Sequence, residues 1–170
     1  FVDSWKALVR LQQEGRAISI GVSNFTGEHL RTIIDETGVV PVLNQIELHP
    51  RFQQRAMRQA DDALDVRTQS WSPLGQGALV QDPVLQRIGA KHGKTAAQVI
   101  LRWHIEHGVS AIPKSSRDER LSENIAIFHF QLTPSEVAAI DALNCDERGG
   151  PDPEVNDLET IRKRVASQAK

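Results

Sequence analysis

A short cationic segment in the last third of the chain has the residue types of an anion-binding site. The sequence IPKSSRDERLSEN, residues 112–124, places Lys114 directly after an apolar run that ends in proline, with Arg117 and Arg120 close behind. Lysine and arginine bind phosphate and carboxylate groups through charge-assisted hydrogen bonds. A solvated helix start is the commoner use of a Lys-x-x-Arg pattern, but the position of this lysine at the exit of an apolar run favours an anion site.

Ser116 and Glu119 predict that a helix begins inside this segment. A serine followed three residues later by glutamate forms a capping box. The unpaired N–H groups of the first helical turn attract anions, and they would point towards the same place as Lys114. Arg120 and Asn124, four residues apart, would share one face of the helix. Together these features predict a phosphate cradle.

Four segments predict the strands that would position this cradle. Each is short, apolar and rich in β-branched residues, and each is followed by a helical pattern. They cover residues 17–25, 42–50, 66–75 and 109–115. Three helix starts carry capping signals, namely Asp82 with Pro83, Thr95 with Gln98, and Thr133 with Pro134 and Glu136. Strand and helix alternate four times, so we predict a parallel α/β fold.

Two parallel architectures are compatible with this alternation, a doubly wound sheet and a (β/α)8 barrel. No glycine-rich turn of the dinucleotide type supports the first. Four βα units make half of the second, which typically takes about 250 residues. We therefore predict a TIM-barrel type fold, of which the chain covers about the last four βα units in residues 1–155. The chain begins with Phe1 and not with Met, which adds to the expectation that an N-terminal portion precedes it.

Length and composition limit the function classes. The 170 residues are 39% hydrophobic, enough for one domain with a substantial core, and the formal net charge of −2 provides no basic field for nucleic acid or anionic membranes. No secretory segment is present, and no apolar run approaches the roughly 20 residues of a spanning helix. The single cysteine, Cys145, cannot form an intramolecular disulfide. We expect a soluble, cytoplasmic protein.

Other polar residues invite a functional interpretation, and for each we favour a structural one. Glu47 and His49 alternate onto one side of their predicted strand, but two ligands are too few for a tight metal site. His104 and His107 lie one turn apart without a third partner, which predicts an exposed helix face. No metal site is expected, and nothing around Cys145 indicates a reactive thiol.

Four motifs, GVSNF, LNQIELHP, SWSPLGQG and IPKSSRDERLSEN, resemble in their order and spacing the second half of the aldo-keto reductases. These are NADPH-dependent carbonyl reductases built on a (β/α)8 barrel. The resemblance covers residues 5 to 155. Trp71 stands where most members have tyrosine, which makes the chain most similar to the bacterial 2,5-diketo-gluconate reductases. The resemblance implies NADPH as the cofactor and aldehydes or ketones, including diketo-sugar acids, as substrates that are reduced to alcohols.

The resemblance also assigns cofactor contacts, position by position. The residues that match the 2′-phosphate and adenine contacts are Lys114, Ser115, Ser116, Arg120, Glu123 and Asn124. The residues that match the pyrophosphate loop are Ser72, Pro73, Leu74 and Gln76. The residues that match the nicotinamide carboxamide contacts are Ser23, Asn24 and Gln45. Trp71 matches the aromatic residue on which the nicotinamide ring stacks, and a flat apolar face of this kind fixes which side of the ring donates hydride.

The resemblance implies no catalytic residue in this chain. In the family a tyrosine protonates the carbonyl oxygen, helped by a lysine, an aspartate and a histidine of the first half of the barrel, and this sequence contains no tyrosine. Loss of the proton donor costs ~10²–10⁴-fold in rate, so we expect the chain alone to be inactive. Residues 146–153 match the mobile loop over the substrate pocket. Residues 156–170 depart from the pattern and predict a short surface helix.

Two functions from other classes stay open. A lysine at a barrel strand end is also what a Schiff-base lyase needs, with Lys114 as the nucleophile, although the neighbouring arginines supply no base. Cofactor residues without a catalytic acid would also fit a non-catalytic NADP-binding or regulatory fragment.

Half a barrel would expose two strand edges, at 17–25 and 109–115, and an apolar inner face. We therefore expect a homodimer or an aggregation-prone monomer.

Overall fold

Four parallel strands alternate with helices in the computed structural model, which describes residues 1–155. The elements are α1 (Val2–Gln13), β1 (Val22–Ser23), α2 (Gly27–Thr37), β2 (Leu43–Glu47), α3 (Arg55–Ala63), β3 (Arg67–Trp71), a 3₁₀ segment (Gly75–Gln81), α4 (Pro83–His92), α5 (Ala96–Glu106), β4 (Ser110–Ala111), α6 (Asp118–Ile125) and α7 (Pro134–Asp141). The predicted parallel α/β class is confirmed. The surface helix predicted at 156–170 lies outside the described residues.

The strands follow one another across the sheet in the order β1-β2-β3-β4, and each pairs in parallel with the next. A doubly wound sheet reverses its strand order at a switch point, whereas a barrel wall keeps consecutive strands adjacent. The observed order is therefore that of a barrel wall. β1 and β4 have two residues each, far fewer than the segments predicted for them, because each lies at an edge of the sheet and has a ladder partner on one side only.

Three of the predicted helix starts are confirmed. The Asp82 carboxylate accepts the Val84 N–H at 2.9 Å, directly before α4. Thr95 with Gln98 and Thr133 with Glu136 form complete capping boxes before α5 and α7. Each side chain satisfies an N–H group that the first helical turn leaves unpaired, and such a cap contributes about 1 kcal/mol to stability.

The capping box predicted at Ser116 is wrong. α6 begins at Asp118, and the residue before it, Arg117, provides no side-chain cap. The Arg117 N–H instead donates to Ser115 Oγ at 3.2 Å. A serine hydroxyl that bonds the backbone two residues on forms a local turn, and the helix begins one residue later than the predicted cap would place it.

The hydrophobic core lies on the face of the sheet that the helices cover. Ile46 and Leu48, from β2 and its exit, pack with buried residues of α4, α5 and α7, including Trp103. A smaller cluster around Trp5 and Ile33 joins α1 to α2. Burying a large apolar side chain of this kind stabilises the fold by roughly 1.5–3 kcal/mol.

The opposite face of the sheet carries a row of polar side chains and not the apolar surface that we expected. Ser23 Oγ donates to the Gln45 carbonyl at 2.8 Å, and Gln45 Nε2 donates to Gln69 Oε1 at 2.7 Å. Gln69 Nε2 continues the row to Ser110 Oγ at 3.2 Å. These residues are in register across the four strands, and side chains alternate between faces along each strand. The expectation failed because the alternation turns residues such as Ile46 towards the helices.

His104 is buried in the core, so the exposed helix face predicted for it is wrong. None of its surface is accessible; its Nδ1 lies 2.8 Å from the Ile100 carbonyl and its Nε2 lies 3.2 Å from the Leu48 carbonyl. Burial lowers the pKa of His104 to about 4. The ring is therefore neutral near pH 7 and donates through one nitrogen only. Within residues 1–155 no helix is long and apolar enough to cross a membrane.

Candidate functional site

The residues predicted to bind a phosphate group meet at one cavity. This cavity has a volume of about 610 Å³ and lies between the exit of β4, the starts of α5 and α6, and the 3₁₀ segment. The predicted site residues that line it are Leu74, Lys114, Ser115, Arg120, Glu123 and Asn124. Ser116, which was predicted with them, is exposed and is not part of the lining. Five of the six residues of the predicted phosphate cradle thus surround a common space.

The charge of this cavity suits an anion. Lys114 and Arg120 line it together with Lys94, against a single carboxylate, that of Glu123. Neither Lys114 nor Arg120 forms an ion pair or a side-chain hydrogen bond with any residue from 1 to 155. Arg117, in contrast, pairs with Glu119 at 3.1 Å outside the cavity. Cations without an internal partner keep all their N–H donors available for a ligand.

The start of α5 is a part of the cavity that the sequence did not predict. Lys94, Thr95 and Ala96 line it, so an amino-terminal helical turn faces the same space as Lys114. Gln98 then ties α5 to α6, because its Nε2 lies within hydrogen-bond distance of the Glu123 and Ala126 carbonyls. The capping box had identified the helix start, but nothing in the sequence indicated which side of the sheet it would face.

A second group of predicted residues meets where β1, β2 and β3 end. Asn24, just after β1, has a left-handed backbone with φ 58°, and its Oδ1 accepts the Trp71 Nε1 hydrogen at 2.9 Å. This bond fixes the plane of the indole at the end of β3. Gln45 uses its Nε2 on Gln69, and Ser23 donates to the Gln45 carbonyl. As these amides are oriented, Asn24 Nδ2 and Gln45 Oε1 have no partner within residues 1–155.

Asn24 and Gln45, whose backbones are hydrogen-bonded to each other, thus offer one donor, Asn24 Nδ2, and one acceptor, Gln45 Oε1. A carboxamide presents the complementary pair, a carbonyl oxygen and an NH₂ group. An indole face next to such a pair gives a flat aromatic ring a stacking surface. The arrangement at Asn24, Gln45 and Trp71 can therefore hold a planar ring that bears a carboxamide.

The loop between the two groups has an unusual backbone. Ser72, Gly75, Gln76 and Gly77 all have positive φ angles, and a left-handed conformation at non-glycine residues is costly and concentrates at functional sites. Leu74 and Gly77 reach the cationic cavity. Gln76 instead lines a separate cavity of 130 Å³ beside Glu47 and His49.

Ser72 and Pro73 line neither of these cavities, so the structure brings only part of the predicted pyrophosphate loop to the cationic cavity. Glu47 and His49 face each other, with 3.3 Å between Oε1 and Nε2. Burial lowers the pKa of His49. Within residues 1–155, no group of three or more histidine, cysteine or acidic side chains is arranged to hold a metal ion.

Comparison with known proteins places this arrangement in a family. The sequence model described as the Aldo/keto reductase family matches residues 1–145. An aldo-keto reductase of Mycolicibacterium smegmatis is 50% identical over 153 residues, which cover 90% of this chain and 56% of that protein. The methylglyoxal reductase DkgA of Salmonella typhimurium is 46% identical over 156 residues, 91% of this chain and 57% of that protein. The chain thus spans somewhat more than half the length of these relatives.

A solved structure has the same architecture. The crystal structure of a Gox0644 mutant in complex with NADPH superposes with a TM-score of 0.90 at 49% sequence identity, covering 93% of this chain and 59% of that one. The likeness therefore extends to the overall sequence as well as to the fold.

Proposed function

This chain belongs to the aldo/keto reductase family, and from that membership we propose that it supplies the NADPH-binding part of a carbonyl reductase. The observation that carries the proposal is the cationic cavity. Lys114 and Arg120 line it, next to Glu123 and Asn124, and neither has a side-chain partner within residues 1–155. The 2′-phosphate is the group that distinguishes NADPH from NADH, and a planar guanidinium binds a phosphate through two parallel hydrogen bonds.

The proposed cofactor path runs from this cavity along residues 72–76 to Trp71. When bound, NADPH supplies a hydride to a carbonyl carbon. The chain's own residues bind and orient. Asn24 Nδ2 and Gln45 Oε1 provide the donor and acceptor for the carboxamide, and the indole of Trp71, held by Asn24, supports one face of the ring. A fixed face leaves only the other side of the ring to the substrate.

We further propose that the substrates of the whole protein are small aldehydes and ketones. The name of the methylglyoxal reductase relative supports compounds with adjacent carbonyl groups. The tryptophan in SWSPLGQG supports the diketo-sugar acids. Both classes bear two or more carbonyl groups on a short carbon chain, so one pocket of modest size would accept either.

The proposal is tested by cofactor binding to the full chain. Isothermal titration should give a lower dissociation constant for NADPH than for NADH, and adenosine 2′,5′-bisphosphate should compete with NADPH whereas adenosine 5′-monophosphate should compete weakly. Equal affinity for the two dinucleotides would contradict the assignment of the cationic cavity to the 2′-phosphate. Failure of all four ligands to bind would contradict the proposed function.

The same chain is expected to have no reductase activity by itself. It contains no tyrosine, and the loss of a proton donor costs ~10²–10⁴-fold even when the rest of a site is intact. Oxidation of NADPH with methylglyoxal, followed at 340 nm in a preparation free of host reductases, should not exceed the rate without protein. The absence of tyrosine beside the predicted cofactor residues also favours a second candidate, a non-catalytic NADP-binding fragment. Steady turnover would exclude that candidate and would require a different proton donor.

A further inference from the structure

Glu47, the last residue of β2, has a buried carboxylate that the proposed function does not use. Only 1% of the residue is exposed. Its Oε1 accepts the N–H of Gly149 at 2.7 Å, and both of its oxygens lie 3.0 Å from the N atom of Gly150. His49 Nε2 lies 3.3 Å from the same Oε1. The carboxylate thus takes two of its three donors from a segment 102 and 103 residues further along the chain.

The two glycines allow that segment to lie directly on the carboxylate and on the Trp71 ring. A Cβ at Gly150 would be 2.5 Å from Trp71 Cη2, and a Cβ at Gly149 would be 2.9 Å from Glu47 Oε1. Side-chain carbons do not approach other atoms this closely, so a larger residue at position 150 would move the segment away from the ring. The indole is therefore held by Asn24 through Nε1 and covered by Gly150 at its far edge.

We propose that Glu47 is a positioning residue that holds the Gly149–Gly150 segment against Trp71, so that this segment walls the space where nicotinamide and carbonyl substrate meet. The inference rests on the proposed role of Trp71 as the support for the nicotinamide ring. Glu47 acts through the glycine segment and touches none of the reacting atoms.

The chemistry of Glu47 and its neighbour His49 explains why the Gly149–Gly150 segment stays in place. Burial keeps His49 neutral near pH 7, and its carboxylate neighbour requires the ring hydrogen on Nε2. Within residues 1–155, Nδ1 of this histidine has no partner. If the glycine segment left, one neutral histidine would be the remaining donor to a buried carboxylate, and an undersolvated buried charge is costly. Departure of the segment is therefore coupled to the exposure of Glu47.

Amide hydrogen exchange on the full chain tests the contact. Glu47→Gln keeps the side-chain size, but an amide accepts through one atom only and presents an NH₂ group to the second glycine N–H. Exchange at Gly149 and Gly150 should become about tenfold faster, because both N–H groups lose a charged acceptor. Exchange at Ile46 and Ser70, inside β2 and β3, should stay within about twofold of the unaltered chain, which shows that the sheet is intact.

Two further variants make the result specific. Glu154→Gln removes an exposed carboxylate from the same segment without touching either glycine N–H, and it should leave the exchange at both glycines unchanged. Gly150→Ala keeps Glu47 but places a methyl group against Trp71, and it should speed exchange at Gly149 as Glu47→Gln does. If Glu47→Gln fails to fold, Glu47→Asp takes its place, because its shorter side chain draws the carboxylate back from both glycine N–H groups and should also speed their exchange.

A second measurement asks whether the segment is positioned for the cofactor. Bound NADPH fluoresces more strongly when protein shields its nicotinamide ring from water. Glu47→Gln should leave the NADPH dissociation constant within about threefold, since neither Glu47 nor the two glycines line the cationic cavity, while the fluorescence gained on binding falls. Rescue of that fluorescence gain by Glu47→Asp, which restores a carboxylate, is expected to be partial.

Unchanged exchange at both glycines in a folded Glu47→Gln chain overturns the proposal. Faster exchange with an unchanged nicotinamide fluorescence overturns it as well, because the segment would then be held without shielding the cofactor. If the unaltered chain binds no NADPH, the proposed function fails, whereas the exchange comparison still decides whether Glu47 holds the segment.

Discussion

Arg120 and Arg117 lie three residues apart at the start of α6 but have different surroundings. Arg120 lines the cationic cavity and has no side-chain partner in the described part of the chain, whereas Arg117 pairs with Glu119 outside the cavity. Arg120→Ala should therefore weaken NADPH binding by roughly 1.5–3 kcal/mol, the contribution of one charged hydrogen-bonded contact. NADH lacks the 2′-phosphate, so its binding should change little. Titration of both dinucleotides into the two chains measures the difference.

Arg117→Ala is the matched control for this prediction. It removes the same charge three residues away, and an exposed ion pair contributes little. Its NADPH affinity should stay close to that of the unaltered chain. Equal weakening of NADPH and NADH by Arg120→Ala would argue against a 2′-phosphate contact. Equal effects of the two substitutions would indicate that the positive charge attracts the cofactor from a distance and that Arg120 makes no specific contact.

His104 predicts a loss of stability in mild acid. Its pKa in the folded chain is about 4, below the 6.5 of an unperturbed histidine, because the ring is fully buried. The unfolded chain therefore binds a proton first as the pH falls. The contribution of neutral His104 is complete above about pH 6.5 and is lost progressively towards pH 4, by up to roughly 3 kcal/mol.

Urea unfolding at pH 7, 6 and 5 measures this dependence. His104→Gln removes the titrating group, so its free energy of unfolding should be lower at pH 7 but should fall less between pH 7 and pH 5. His129→Gln changes an exposed histidine and should reproduce the slope of the unaltered chain. An equal slope in all three chains would mean that another group controls the acid sensitivity.

At the scale of elements, the start of α7 depends on a charged cap. Burial opposes ionisation of Glu136, but hydrogen bonds from the Thr133 backbone and from His92 overcome it and lower the pKa of Glu136 to about 2. The folded-state pKa is below the unfolded value near 4.5, so the stabilisation is present above pH 4.5 and is lost as the pH falls towards 2.

Glu136→Gln separates the charge from the cap, because glutamine also completes a capping box. The variant should lose about 1–2 kcal/mol of unfolding free energy at pH 5, where the hydrogen bonds to a charged acceptor are weakened, and should approach the unaltered chain at pH 2.5. Glu119→Gln, at an exposed carboxylate, is the control. A loss that is the same at pH 5 and pH 2.5 would assign the effect to packing.

The elements that the sequence predicted well are those that local chemistry specifies. Asp82, Thr95 and Thr133 cap helices with bonds that span two or three residues, and each of the four strands lies inside the segment predicted for it. What the sequence did not specify depends on neighbours distant in the chain. The sequence shows His104 only as a polar residue in a helix. The residue can be buried because the Leu48 carbonyl, 56 residues away in the chain, provides a hydrogen-bond partner.

The candidate site likewise contains some residues that local sequence predicts and others that depend on distant parts of the chain. Lys114 and Arg120 could be predicted to act together because they lie six positions apart, one at the exit of a strand and the other in the helix that follows it. The contribution of Lys94 required knowledge of how α5 packs against α6. The Glu47 contact with Gly150 spans 103 residues and had no local signal beyond a pair of glycines.

At the scale of the molecule, a group of exposed apolar side chains lies near β4, and Ile18, Val40 and Val42 are exposed in the segments before β1 and β2. Leu121, Ile125 and Phe128, in and after α6, are exposed, as is Ile112 directly after β4. Leu121, Ile125 and Phe128 border an apolar cavity of 290 Å³ that also reaches α5. The inner face of the sheet is instead crossed by hydrogen-bonded polar side chains. The β4 edge, with its unpaired backbone groups, is therefore where we expect another chain to associate.

Light scattering after size-exclusion chromatography tests this expectation on the full chain. We predict a homodimer or larger species whose proportion rises with concentration, and Ile125→Asn with Phe128→Asn should shift it towards monomer. Val155→Asn, at an exposed apolar residue away from α6, should have no such effect. Hydrogen exchange at β1 and β4 should be fast in the monomer, because each strand has one ladder partner. A compact monomer in which both of these strands are strongly protected would contradict the edge argument. It would also contradict the barrel-wall geometry on which the proposed cofactor path depends. Protection of both edge strands in a monomer would mean that β1 and β4 pair with further segments of the same chain.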